Sequence, residues 1–194
     1  MGKQIYLKKV GELFDKSPVV DFKSIDRVVK EKSKSNYAKL LVSNLLKNGK
    51  IRKVSKGYYT KYEESSLSVF CFKPAYLGLH SALSFHKLWD QATIPVILTT
   101  RNVRTGRRDS MGGNIIVRHI SKKYLFGFDY YKDGSFYVPY SDLEKTFIDC
   151  IFYRLNLDNE VLINIRGKID RKKLVAYLKS YPTFFKEKIK NILI

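Results

Sequence analysis

The chain is 194 residues long, 44% hydrophobic and 14% aromatic, which excludes a mostly disordered protein and allows one medium domain or two small ones. Lys and Arg number 37 against 18 Asp and Glu, a net charge of +19 that favours a polyanion such as nucleic acid, with an anionic membrane surface or plain solubility as the other uses. No apolar run approaches the length of a membrane span and the N-terminus carries no secretory pattern, so the expected location is the cytoplasm.

Ile5, Leu7, Val10, Leu13 and Phe14 form a helical stripe over residues 3–15, which Pro18 stops. Val19 and Val20 fit a short strand. Asp21 then reads as the N-cap of a second helix with Ile25, Val28 and Val29 on its apolar face. After the polar turn Lys32-Ser33-Lys34-Ser35, residues Ala38, Leu41, Val42, Leu45 and Leu46 follow the spacing of a third helix, which Gly49 ends. The opposite face of that helix carries Asn36, Lys39, Ser43 and Lys47, with Leu40 beside them.

Those side chains suit a DNA groove: Asn pairs bidentately with adenine, Lys reaches guanine edges or phosphates, and Leu touches a thymine methyl. A solvated charged face is the ordinary alternative, and the basic segments on either side weigh against it. The segment Ile51-Arg52-Lys53-Val54-Ser55-Lys56-Gly57-Tyr58-Tyr59 reads as a cationic hairpin turning at Gly57, although its strands do not alternate cleanly. The order predicts a winged helix-turn-helix over residues 1–62. Ser35, Asn36, Lys39 and Ser43 would read base edges; Lys32, Lys34, Lys47, Arg52, Lys53 and Lys56 would hold phosphates. This third of the chain is also the most basic, with 16 cationic and 5 anionic side chains against 21 and 13 in residues 63–194.

The polar break Glu63-Glu64-Ser65-Ser66 marks the start of a second, mixed α+β domain over residues 63–194, giving an α+β protein as a whole. An apolar run, Val69 to Phe72, precedes Pro74, which is expected to open a helix carrying Leu79, Ala82, Leu83 and Phe85 and ending near Trp89. Residues 94–100 and 114–120 are β-branched and predict strands, with shorter ones at 124–131 and 135–139 around the Asp133-Gly134 turn. Ser141 with Glu144 reads as a capping box for a helix through Phe147, Ile148, Ile151 and Phe152. Two basic helices, at about 170–180 and 183–193, complete the pattern.

Between the two longer strands, Arg101, Arg104, Arg107 and Arg108 crowd into eight residues, a possible second nucleic-acid contact or a solvated connection. Cys71 and Cys150 each sit in an apolar run and read as buried thiols. His80, His86 and His119 are too scattered for a metal site, and no motif calls for a cofactor or a catalytic residue. A nuclease-like enzyme built from two carboxylates and a lysine, with the arginine loop holding the substrate phosphates, would leave weak traces, and a winged helix can instead dock a protein partner, so both alternatives stay open.

Three stretches of the second domain carry a family resemblance: Tyr76-Leu77-Gly78-Leu79-His80-Ser81-Ala82-Leu83, Ile97-Leu98-Thr99-Thr100 ahead of the arginines, and Leu143-Glu144-Lys145-Thr146-Phe147-Ile148-Asp149, with Leu125-Phe126-Gly127 between them. In that order behind a winged helix they resemble the AbiE-type antitoxins of abortive-infection (type IV toxin–antitoxin) systems. The resemblance implies a repressor that binds repeats in its own promoter and counteracts a cognate nucleotidyltransferase toxin; an orphan repressor that kept only repression would look the same. No catalytic signature of comparable strength accompanies the winged helix, so a binding protein rather than an enzyme is expected, and the roughly 600–1,000 Å² that one such module buries predicts two copies on repeated half-sites.

Overall fold

The computed structural model describes residues 2–30 and 36–193. The chain divides into two compact units, residues 1–71 with 109–114, and residues 72–108 with 115–194. Among the described residues no helix is long and apolar enough to cross a membrane.

The first unit opens with α1 (Gly2–Lys16), β1 (Val20–Asp21), α2 (Phe22–Lys30) and α3 (Tyr37–Lys47), followed by β2 (Arg52–Ser55) and β3 (Tyr58–Thr60). Its core takes Val10 and Phe14 from α1, Ile25 and Val29 from α2, and Ala38, Leu41, Val42 and Leu45 from α3. These are residues of the predicted stripes, and each large one contributes roughly 1.5–3 kcal/mol on burial. Asp21 caps α2 as expected, accepting the Ser24 amide and hydroxyl at 2.9 Å each. The three strands form an antiparallel sheet in the order β1-β3-β2. Gly49 and Gly57 have φ of +66° and +78°, the left-handed conformations their places require.

The uneven patterning of the hairpin has a physical cause. Pairing passes from Lys53↔Tyr59 to Ser55↔Tyr58, which leaves Val54 as an extra residue in β2. Val54 is buried, and its carbonyl accepts the Ser110 hydroxyl at 2.8 Å. That uses the one hydrogen of Ser110, so its 2.7 Å bond with Ser68 is donated by Ser68. Arg52 and Lys53, which pair in regular register with Thr60 and Tyr59 ahead of the bulge, are both exposed.

The second unit is built on a six-stranded mixed sheet of order β6-β7-β5-β4-β9-β8. Its strands are β4 (Ala75–Leu77), β5 (Val96–Thr99), β6 (Gly106–Ser110), β7 (Gly113–His119), β8 (Phe128–Asp133) and β9 (Phe136–Ser141). The tip joining β6 to β7 is counted with the first unit. β5 pairs in parallel with β7 and antiparallel with β4, while β8 and β9 form an antiparallel hairpin. The helices are α4 (His80–Phe85), α5 (Leu143–Phe152), α6 (Asn159–Lys168), α7 (Arg171–Leu178) and α8 (Thr183–Leu193). The mixed α+β class of the sequence reading holds.

Several local expectations are corrected. Pro74 opens no helix: Ala75, Tyr76 and Leu77 are all buried in β4, and such an internal strand reads as a continuous apolar run without period. The helix begins only at His80. Residues 122–124 form a 3-10 turn, and the strand expected at 124–131 starts at Phe128. The arginine segment is not wholly a loop, since Arg107 and Arg108 belong to β6. Asp142, not Ser141, caps α5, accepting the Lys145 amide at 2.8 Å. Ser141 stays in β9 and bonds to the Thr146 hydroxyl, while Glu144 accepts the Asp170 amide at 2.9 Å. Helix α6 went unread because Val161, Leu162, Ile163 and Ile165 crowd together without helical spacing.

Candidate nucleic-acid interface

Helix α3 is two-faced. Ala38, Leu41, Val42 and Leu45 are buried, whereas Asn36, Lys39, Leu40, Ser43 and Lys47 are exposed. Asn36 stands at the N-cap position, yet its side chain makes no capping hydrogen bond there. Its amide therefore keeps donor and acceptor for another partner. Leu40 is 56% exposed on that otherwise polar face. Lys32, Lys34 and Ser35 lie outside the described residues.

On the hairpin, Lys53 and Lys56 are exposed, and the Arg52 guanidinium donates to the Glu63 carboxylate. Both members of that pair are largely solvated, so it is worth no more than about 1 kcal/mol and is readily exchanged for another anion. The Gly57 carbonyl accepts the Phe22 amide at 2.8 Å, bringing the hairpin turn against the start of α2. An open cleft of about 550 Å³ lies there, lined by Lys23, Ser24, Arg27, Lys56 and Tyr58 among others. Lys23 and Arg27 were missed in the sequence. Their signal is a pair of cations one helical turn apart, away from Ile25 and Val29.

In the second unit the four arginines separate. Arg101, Arg104 and Arg107 are exposed, whereas Arg108 is half-buried with its guanidinium 5.5 Å from the centre of the Phe72 ring. Stacking of that kind fixes the side chain against the protein.

A different polar group occupies the interior of this unit. Lys145 is fully buried, and its ammonium donates to the Asp149 carboxylate and, at 3.3 Å, to the Tyr181 hydroxyl. The other Asp149 oxygen accepts the Tyr76 hydroxyl at 2.6 Å. The rings of Tyr76 and Phe126 lie 5.6 and 5.4 Å from the ammonium. Gly127, at φ +68°, passes so close that a Cβ would come within 2.8 Å of the Lys145 Cβ. Burial lowers the Lys145 ammonium below its usual range and raises the Asp149 carboxyl above its own, each partly offset by the other's charge. Tyr76, the Phe126–Gly127 segment and α5, far apart in the sequence, thus meet at one buried ammonium.

Around it, Lys173 reaches the carboxylates of Asp142 and Glu144 at 3.0 and 3.1 Å, and Tyr177 donates to Asp142 at 2.7 Å. These contacts tie α7 to α5. Cys71 and Cys150 are buried thiols outside any disulfide. His86 bonds through Nε2 to the Ser141 carbonyl at 2.8 Å, and His80 packs on Trp89.

The chain is similar to a crystal structure of the RV2827C protein from Mycobacterium tuberculosis, with a TM-score of 0.63 and 12% sequence identity over 97% of this chain and 76% of that one. At that identity the likeness speaks for the fold alone. No protein-family model matches the sequence, and no curated protein matches it.

Proposed function

We propose that the protein is a DNA-binding transcriptional regulator whose first unit acts as a winged helix-turn-helix, with α3 in the major groove and the β2–β3 hairpin as a short wing. The observation that carries this reading is the division of α3: one face is committed to the core, and the other offers Asn36, Lys39, Leu40 and Ser43 to solvent. Those residues, with Ser35 before them, supply base-edge contacts. Lys47, Lys53 and Lys56, with Lys32 and Lys34, Lys23 and Arg27 and an Arg52 released from Glu63, hold the phosphates. One such module buries roughly 600–1,000 Å² of protein surface, so high specificity calls for two copies on repeated half-sites.

The resemblance to AbiE-type antitoxins extends the proposal: the protein represses its own operon in the cytoplasm and counteracts a nucleotidyltransferase toxin. It works by binding, not by catalysis. The buried pair of Lys145 and Asp149 is closed to metal and substrate, so that pair is no nuclease centre. The test is footprinting on the DNA upstream of its own reading frame, together with co-expression of any nucleotidyltransferase encoded immediately downstream. The proposal expects protected repeats and relief of toxicity. Uniform weak coverage of all DNA contradicts the regulator, and toxicity unchanged by the protein contradicts the antitoxin.

A further inference from the structure

A second set of exposed cations lies on the segments that leave one end of the second unit's sheet. β5 and β7 run in parallel with Thr99 opposite His119, and the Ile120 amide donates to the Thr99 carbonyl at 2.9 Å. The segments leaving the carboxyl ends of these two strands therefore start side by side, although they lie about twenty residues apart in the sequence. One brings Arg101 and Arg104, the other Lys122 and Lys123, and all four are exposed. Arg118, exposed near the end of β7, lies with its guanidinium 5.4 Å from the Tyr153 ring centre, and the Tyr153 hydroxyl donates to the His119 carbonyl at 2.6 Å. From residue 100 to residue 128 the chain holds one acidic side chain, Asp109.

We infer that this end of the second unit is a binding surface for the phosphodiester backbone of nucleic acid, separate from α3 and the hairpin. Like charges repel, so exposed cations carried by two sequence-distant segments that leave the sheet side by side fit an anionic ligand. The supports are fixed before any ligand arrives. The Arg101 amide donates to the Thr99 hydroxyl at 3.1 Å, and that hydroxyl donates in turn to the Phe72 carbonyl at 2.7 Å. The Val103 amide bonds back to the Arg101 carbonyl at 3.0 Å, and the Lys123 ammonium sits 4.7 Å over the Tyr124 ring. Arginine forks on a held loop match phosphate oxygens bidentately, and lysines beside them extend the track. The carboxyl ends of parallel strands are also where open sheets place their ligands. The sequence showed only the arginines. Lys122 and Lys123 join them through strand pairing, which no local pattern displays.

The inference is tested on the full-length protein with two fluorescent probes, a short random-sequence DNA duplex and a short RNA hairpin. One variant carries Arg101→Gln, Arg104→Gln, Lys122→Gln and Lys123→Gln. A control of equal charge change carries Arg171→Gln, Lys172→Gln, Lys179→Gln and Lys188→Gln. The first variant is expected to lose at least about tenfold in affinity for one or both probes, with a log K against log salt slope shallower by about three units. The control is expected to lose little, and the probe that loses more identifies DNA or RNA as the source of the backbone. Equal losses in both variants, or wild-type binding by the first, overturn the inference. A third variant, with Lys39→Gln, Lys53→Gln and Lys56→Gln, separates the two surfaces. If it abolishes all binding the inference falls, and if it leaves promoter binding intact the reading of α3 falls while this one stands.

Discussion

The Tyr76 hydroxyl donates to the Asp149 carboxylate, and Lys145, one helical turn before Asp149, fills the other oxygen of the same group. A strand and a helix are thereby joined through a charge pair that solvent does not reach. Such a pair costs several kcal/mol per ion to desolvate, and its mutual attraction offsets that only while both partners are present. Asp149→Ala is expected to destabilise the protein by about 3–5 kcal/mol, because it strands the Lys145 ammonium among Tyr76, Phe126 and Tyr181. Lys145→Met, which removes a charge but keeps the volume, combined with Asp149→Asn, is expected to cost far less. Urea unfolding of the three proteins measures this, and equal losses would show that the pair acts through packing alone.

The contacts of α7 with α5 predict an alkaline limit. Burial, and then the hydrogen bond to Asp142, push the Tyr177 hydroxyl up to about 12. For Lys173 burial alone would lower the pKa, but the hydrogen bonds and charges of Asp142 and Glu144 outweigh it and the net shift is upward. Both groups hold their protons more tightly when folded, so their contribution is intact below about pH 10 and is lost as pH rises through the folded values. Stability is expected to fall between pH 10 and about 12, and Tyr177→Phe to make that fall shallower. Denaturant midpoints across this range check the slope. A wild-type slope unchanged in Tyr177→Phe contradicts the assignment.

The two faces of α3 should separate stability from binding. Leu41 is 5% exposed, and Leu41→Ala is expected to cost about 2–5 kcal/mol in unfolding. Lys39→Ala is expected to stay within about 0.5 kcal/mol of wild type in unfolding while weakening DNA binding. A Lys39→Ala protein that loses stability as well would place that side chain in the fold rather than at the ligand.

The bulge in the hairpin makes its own prediction. Ser110→Ala leaves the buried Val54 carbonyl and the Ser68 hydroxyl without their partner, an expected loss of about 1–3 kcal/mol. Ser110→Cys, which keeps a weak donor, is expected to lose less. Equal losses would mean that packing, not the hydrogen bond, holds the bulge.

Local chemistry was legible in the sequence. The stripe from Ala38 to Leu46, the Asp21 cap and the turn at Gly57 each follow from spacing or backbone freedom within a few residues, and each stands in the fold. What depends on distant partners was not. Nothing near Val54 announces that its carbonyl waits for Ser110, and nothing near Ala75 tells a buried strand from a helix. Glu144 illustrates the limit: its position fits a capping box, but a partner 26 residues away, the Asp170 amide, takes its carboxylate instead. Of the candidate DNA contacts, those on α3 and the hairpin could be read from amphipathic patterning. Lys23 and Arg27 required the turn at Gly57 to be folded against α2.

The most direct test of the account compares wild type with Asn36→Ala by fluorescence anisotropy, on a duplex from the protein's own promoter and on a scrambled duplex of equal length. If Asn36 reads a base edge, the variant loses about 1–3 kcal/mol of affinity on the promoter and almost nothing on the scrambled duplex. Unchanged affinity on the promoter, or the same loss on both duplexes, would contradict recognition of DNA sequence by the outer face of α3.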